Sequence, residues 1–531
     1  MGKNKCSRDK CQLDVYQGGK CVLHCEKKSQ YSHSDWQLYK DFNEALINNI
    51  AEQLEESSDN EDAIIDKQSA IRFLNGESFQ VIFSNDEEMI RLSSNTLFNT
   101  IIFDYILFPQ GKSQDSFFYN KTIKNLEAIH FNYCEFNVSY LELDNIQCFF
   151  QDCIFHVSWT IPNCKILENE DNVIYQTCIF HENISNYTPK KRKELAVYQA
   201  SQFDYTCQFK KSINMHNAKF EKMLFNTNQN NYLDENSINK ISFDFCLFED
   251  KFKLNSYTIN VFLCEDSIFK QKFEFRENIL TSFNILNTNF EGIVDCNLSR
   301  FSTFYIEKSI FNRFVGFEEC IFGNKEKKEN QVALFKYVTF LDYSYFRRAK
   351  FYSGLDMENT NLEEYPNFLY IDIEPKYTNR ETFRIIKHSF EKIGNTIEAN
   401  KYFAYEMKKE RENTSIKDDL NKKIMLNLNY WISNFGQSWI RPLSIILVIA
   451  VLHTLLIYGI DNKIFQIINP SNPMYDFLKW IVDFSNDLAK NIIPFKKPLI
   501  EGKEFISLVF LIIYSTLIYN FIVAVKRITK R

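Results

Sequence analysis

Apolar and polar residues alternate along this chain with several distinct periods. Between 246 and 362 a small residue, any residue and a phenylalanine form a recurring triad: Cys246-Leu247-Phe248, Ser267-Ile268-Phe269, Thr288-Asn289-Phe290 and Ser309-Ile310-Phe311. These four phenylalanines stand 21 residues apart. Phe322, Phe340, Phe351 and Leu362 continue the series, with steps of 11 from 311 to 322, 340 to 351 and 351 to 362. Looser copies precede them at uneven intervals: Cys134-Glu135-Phe136, Cys153-Ile154-Phe155, Cys178-Ile179-Phe180, Cys207-Gln208-Phe209 and Ala218-Lys219-Phe220.

On either side the pattern is different. Trp36, Tyr39, Phe42, Leu46, Ile50 and Leu54 recur at three and four, the stripe of an amphipathic helix with Ser34 as its cap. The acidic run over 55–62 reads as a solvated linker. Alternation over 73–108 predicts first strands, or a cap that closes the open end of the repeats, so that 31–125 forms one lead-in region. After the repeats, Pro366 and Pro375 break the pattern and Thr378-Asn379-Arg380-Glu381 opens a helix in the manner of a capping box. Phe383, Ile386, Phe390 and Ile393 share one face, Gly394-Asn395 interrupts, and Ala399, Tyr402, Phe403 and Met407 mark a second helix. This hairpin, 376–430, is expected to cap the far end.

A helix-pair repeat needs a period of roughly 30 or more, and a leucine-rich repeat would place Leu and Asn at other offsets. A β-solenoid fits, because each coil turns one large and one small side chain inward and successive coils stack them. The triads resemble the pentapeptide-repeat family, whose five-residue unit has a central Leu or Phe and a small residue two positions earlier. That resemblance implies a mainly β fold, a right-handed quadrilateral β-helix with flanking helices, in which steps of about 10 and 20 are ordinary. Steps of 11 and 21 depart from it by one residue and predict a bulge or loop at one corner. The resemblance covers 126–365, degenerate over 126–245 and clearer over 246–365, with 181–202 and 226–240 expected to leave the coil as loops.

At 531 residues the chain exceeds a single core. Its 51 Phe and 28 Tyr against 13 Gly and 10 Pro favour strands and stacked rings. A net charge of −6 gives no support for nucleic acid as a partner, which needs a concentrated basic face. Over 241–365, 15 Lys or Arg stand against 19 Asp or Glu. That excess is too mild for the DNA mimicry that soluble, topoisomerase-binding members of the family would suggest. Phosphate-loop, dinucleotide, zinc-protease and nucleophile-elbow motifs are all absent, so no enzymatic activity is expected.

Residues 1–30 bring ligand chemistry. Cys6, Cys11, Cys21 and His24 follow the spacing C-x4-C-x9-C-x2-H, with Cys25 next to the histidine as a reserve ligand. Three thiolates and an imidazole suit a tetrahedral structural zinc, and Gly18-Gly19 allows the segment to turn back on itself. A segment this polar has no core of its own, so a metal would supply its folding energy. A reduced, unstructured leader or a disulfide pair would use the same cysteines. Certain membrane-anchored members of the family have a similar cysteine-rich start ending in C-x2-H.

The C-terminus holds two uncharged apolar runs, 443–460 and 505–525, each long enough to cross a bilayer. We expect transmembrane helices over 440–460 and 505–525, an inter-span loop over 461–504 and a basic tail over 526–531. Trp431, Trp439 and Tyr458 would be interfacial anchors, with Tyr514 and Tyr519 in the second span. Lys422, Lys423 and Arg441 before the first span, and Lys526, Arg527, Lys530 and Arg531 after the second, place both termini in the cytoplasm of a bacterial inner membrane. There the 14 cysteines stay reduced. His453 is the histidine inside a span and a candidate functional group, although hydrogen bonding to a neighbouring helix is its commoner role. The inter-span loop has Gly502 as its only glycine and no potassium-filter sequence, and its stretch over 475–484 is amphipathic. Two functions follow as expectations: a membrane-anchored scaffold whose rod binds an unidentified protein, or a regulated effector whose spans form a non-selective pore as a homo-oligomer.

Overall fold

The computed structural model describes residues 5–8, 11–27, 36–58, 63–64, 67–74, 82–83, 97–109, 118–187, 194–226, 237–326, 331–417, 419–461, 473–492 and 502–529. The chain divides into two compact units, Met1–Gly354 with Asn359–Ile373, and Leu355–Glu358 with Glu374–Arg531.

The first unit is built from parallel strands in stacked sheets, and among the described residues no sheet closes into a barrel. In the longest sheet Ser237–Asp244, Thr258–Glu265, Ile279–Leu286 and Arg300–Glu307 pair in sequence order, each residue opposite the one 21 positions on, as Phe262 is opposite Phe283. A second sheet pairs the triads, Phe248 with Phe269, Phe290 and Phe311 in turn. A third pairs Phe252–Lys253, Phe273–Glu274, Val294–Asp295 and Val315–Gly316.

Equal spacing places identical side chains on top of one another. The Phe248 and Phe269 rings lie 4.5 Å apart and nearly parallel, Phe269 and Phe290 5.1 Å, and Phe290 and Phe311 4.9 Å. Each such offset pair contributes about 0.5–1.5 kcal/mol beyond its burial. The small residues are tied from repeat to repeat. Ser267 Oγ accepts the Cys246 N–H at 3.0 Å and donates to the Glu265 carbonyl at 2.7 Å, while Ser309 Oγ accepts the Thr288 N–H at 3.1 Å. Before each small residue the backbone turns left-handed, at Phe245, Asp266, Asn287 and Lys308, and a second left-handed series runs through Ser256, Glu277, Leu298 and Glu319. Gly292 sits where a Cβ would lie 2.3 Å from the Gln271 carbonyl carbon, so only glycine fits.

Three sequence expectations change here. The steps of 11 are not repeats of one position: Phe340 and Leu362 extend the triad sheet from Phe311, whereas Phe322 and Phe351 pair in the longest sheet beside Phe301. Residues 181–202 are not simply a loop, because Ile184–Asn186 and Ala196–Tyr198 are strands that bury Ile184, Ala196 and Tyr198. Of 226–240, residues 227–236 lie outside the described residues and Ser237 already begins a strand. The early triads also separate, since Phe136, Phe155, Phe180 and Phe209 form one sheet while Phe220 joins Phe248 in another.

Helix α1 (Trp36–Ser58) has the expected stripe, with Phe42, Leu46, Ile50 and Leu54 fully buried. It continues through Glu55 and Glu56, which the acidic-linker reading excluded; glutamate is a good helix former and the buried face carries on to Leu54. The expected cap at Ser34 and most of the alternating stretch, 75–81 and 84–96, lie outside the described residues. Two short helices absent from the sequence reading, α2 (Lys67–Leu74) and α3 (Phe118–Ile123), follow. Phe42 packs edge-on against Phe108 and Tyr119. The Gln53 amide exchanges two hydrogen bonds of 2.8 Å with the backbone N–H and C=O of Ile102, on the outermost strand of its sheet, Leu97–Asp104.

The second unit is helical. Asn379, not Thr378, caps α4 (Arg380–Lys392), accepting the Thr382 N–H at 2.8 Å. Thr378 Oγ1 instead accepts the Leu355 N–H and donates to the Glu374 carbonyl. After Gly394, Asn395 caps α5 (Thr396–Asn413), and a further helix, α6 (Leu420–Ser433), lies where the hairpin reading had none. Then come α7 (Ile440–Ile460), α8 (Pro473–Ile492) and α9 (Glu504–Thr529). Helices α7 and α9 are long and apolar enough to cross a membrane. They pack through Ile446, Ala450, Tyr514 and Leu517. Tyr458 is buried and donates to Asp487 Oδ2 of α8 at 2.9 Å, so it is a packing residue and not an exposed anchor. Arg527 of the basic tail donates to the Phe435 carbonyl at 2.6 Å and lies over the Phe403 ring.

Candidate metal centre

The segment over residues 5–27 folds around a tight turn. Gly18 and Gly19 both have positive φ, 59° and 78°, the pair that a type I′ hairpin requires, and Gln17 and Lys20 exchange two 3.0 Å hydrogen bonds across it. Lys5 bridges to Asp14 in the antiparallel sense, and the Ser7 N–H donates to the Gly19 carbonyl. A helical turn after Cys21 closes through His24 and Cys25 N–H groups bonded to the Cys21 carbonyl, which turns residues 21 and 24 to one side.

These turns bring Cys6, Cys11, Cys21 and His24 together, with all four ligand atoms within 4.8 Å of one another. His24 Nδ1 lies 3.5 Å from Cys6 Sγ and 3.3 Å from Cys21 Sγ, and Cys11 Sγ lies 3.7 Å from Cys21 Sγ. A four-coordinate ion with thiolate and imidazole bonds of about 2.0–2.3 Å holds its ligand atoms about 3.5–3.8 Å apart. The cluster therefore has the size and the donor chemistry to hold a metal ion. Cys25 is not part of it: its thiol points to the Val22 carbonyl at 3.7 Å.

The surroundings suit ligation. Cys6 Sγ accepts the Cys21 N–H at 3.3 Å, and the His24 ring also hydrogen-bonds to the Asp104 backbone. A second partner of this kind fixes the orientation of a ligating imidazole. Burial holds His24 below its usual value, which keeps the ring neutral and able to donate a lone pair. Burial pushes Cys11 up and Cys21 up to about 12; for Cys6, burial is outweighed by hydrogen bonds from the Arg8 and Cys21 backbones and it falls below the ordinary thiol value. Lys27, which sequence reasoning missed, is buried; it donates to the Leu23 and Cys25 carbonyls at 3.1 and 3.2 Å and lies over the Phe42 ring. Its partners are backbone atoms, which leave no signature in residue spacing. The Leu23 carbonyl also accepts the Leu107 N–H at 3.0 Å, which ties the segment to an outermost strand of the first unit.

His453 lies in α7, buried, its ring 4.0 Å from that of Phe510. Among the described residues neither of its nitrogens has a hydrogen-bond partner, nor does the Tyr514 hydroxyl, so the structure does not supply the helix-to-helix hydrogen bond expected for this histidine. All 14 cysteines are free thiols. No family model matches the chain, and no curated protein or solved structure matches it.

Proposed function

We propose that this protein is a membrane-anchored scaffold of the pentapeptide-repeat type, whose first unit is a right-handed quadrilateral β-helix that binds a partner protein at the cytoplasmic face of a bacterial inner membrane. The observation that carries the reading is the constant 21-residue register of the parallel strands in a chain that also holds two helices of membrane length. Such a register repeats outward-facing positions in straight rows, and extended repeat surfaces are suited to protein partners. Phe245 and Tyr337 are half exposed on this unit. The Cys6, Cys11, Cys21 and His24 cluster holds a structural zinc, the ion favoured by three thiolates and one imidazole in a closed four-ligand site. Free thiols throughout support the reducing side of the membrane, with both termini cytoplasmic.

A photo-crosslinking amino acid at Phe245 or Tyr337 in growing cells tests the scaffold. One discrete adduct shared by both positions is the expected result, and adducts no different from those of a position in the inter-span loop would reject it. The unpartnered His453 nitrogens and Tyr514 hydroxyl favour one other reading, a non-selective pore formed by α7 and α9 on oligomerisation. Dye and potassium flux through liposomes separates the two. Flux with the full-length chain that disappears on truncation before Arg441 supports the pore, and tight liposomes leave the helices as an anchor.

A further inference from the structure

The first unit contains a cavity of about 510 Å³ to which neither the repeat nor the metal cluster assigns a role. Among the described residues, Glu170, Asp171, Asp204 and Asp250 line it, against a single cation, Lys222. Acidic residues alone would mean little, but Asn226 adds an independent sign. Its side chain lines the cavity, the residue is 9% exposed, and among the described residues its Oδ1 has no hydrogen-bond partner, while its Nδ2 donates to the Asp171 carbonyl at 2.8 Å. A buried acceptor left unpaired is costly, so a donor from a ligand is the natural complement. Asn226 is the register partner of Asp204 on the adjacent parallel strand, which places carbonyl and carboxylate side by side. Asp204 is held in position by the Thr206 hydroxyl at 2.9 and 2.7 Å and by the Thr177 and Thr206 N–H groups. Burial raises its carboxyl above the ordinary range.

Among the described lining residues the charge balance favours a cation over an anion. A hard divalent ion needs six or more converging oxygens, yet among the described residues no three carboxylates here bring their oxygens within 4.8 Å of one another. Carboxylates spread around a cavity of this size fit a cation whose charges are themselves spread along a chain, and Ile166, Met223 and Tyr205 supply apolar wall for the methylenes between them. We propose that this cavity binds an aliphatic di- or polyamine, with one ammonium donating to Asn226 Oδ1 beside Asp204 and the other charges held by Glu170, Asp171 and Asp250. The proposal is independent of the scaffold reading.

Calorimetric titration of the full-length protein in detergent with spermidine tests it. Saturable binding at one site is expected, weakened roughly fivefold by Glu170→Gln and again by Asp250→Asn. These two side chains are on the exposed or half-exposed side of the cavity, so their loss leaves the fold intact, and Glu318→Gln with Glu319→Gln controls for general acidity. Asn226→Ala, verified as folded by circular dichroism, is expected to weaken binding about tenfold. The proposal is overturned by the absence of saturable heat, by wild-type affinity in the Glu170→Gln/Asp250→Asn variant, by an equal loss in the control, or by calcium displacing spermidine at stoichiometric concentration.

Discussion

Cysteine does two different jobs in the first unit. In the N-terminal segment Cys6, Cys11 and Cys21 turn their sulfurs toward one another and toward His24. In the strand region Cys134, Cys153, Cys178, Cys207 and Cys246 are spread one to a repeat, each thiol donating to a backbone carbonyl of the preceding repeat, at 3.1 Å for Cys134 and 3.4–3.5 Å for the others. There the residue acts as a compact apolar group with a weak donor, and serine or threonine replaces it at 267, 288 and 309. The first arrangement has the donor chemistry to hold a metal ion; the second needs only its neighbours.

Metal removal draws this contrast most sharply. Structural zinc in small sites contributes about 10–16 kcal/mol of apparent binding energy, so a strong chelator should unfold residues 5–27 and leave the strands intact, as read by hydrogen exchange. Cys21→Ser should abolish metal retention and Cys25→Ser should preserve it, measured by metal content of the purified protein. Because Cys11 and Cys21 are raised by burial, both hold protons when the ion is absent, and binding must release them. Affinity should therefore rise with pH, and fall by about tenfold per unit of acidification for each thiol proton displaced. A pH-independent affinity between 6 and 8, taken as an approximate working window, would break the ligand assignment.

Alkylation separates the two groups by reactivity. With chelator present, thiols of the N-terminal segment should label within minutes. Cys153, Cys178 and Cys207, buried and raised well above the usual thiol value, should label only on denaturation, which mass spectrometry of each peptide can follow. Within the strands, Phe269→Ala should cost about 3–5 kcal/mol in urea unfolding, since it opens a gap between Phe248 and Phe290. Ser267→Ala should cost less, about 1–3 kcal/mol, because it orphans the buried Cys246 N–H, and Ser267→Cys should fall between that variant and wild type.

Local signals were legible in the residues, and signals that depend on distant chain were not. The Cys6 to His24 spacing spans one short segment, so turns alone could assemble it. The 21-residue triads could be read because equal spacing becomes equal register. The steps of 11 misled because Phe322 and Phe311 look alike in sequence while belonging to different sheets. Ile184–Asn186 reads as loop in the sequence because insertions around it obscure its period, and Tyr458 reads as an anchor because its partner, Asp487, lies in another helix. The acidic cavity had no signature at all: Asp171, Asp204 and Asn226 meet only after uneven insertions have been folded away.

The pair of hydrogen bonds from Gln53 to Ile102 also bears on assembly. A parallel strand with a free edge is a template on which another copy of the same strand can be laid, and then another. One glutamine amide occupies two backbone groups of this strand, the Ile102 N–H and C=O, so among the described residues part of this edge is already taken within its own chain. Substituting Gln53 should uncover a piece of sheet edge as well as remove a contact.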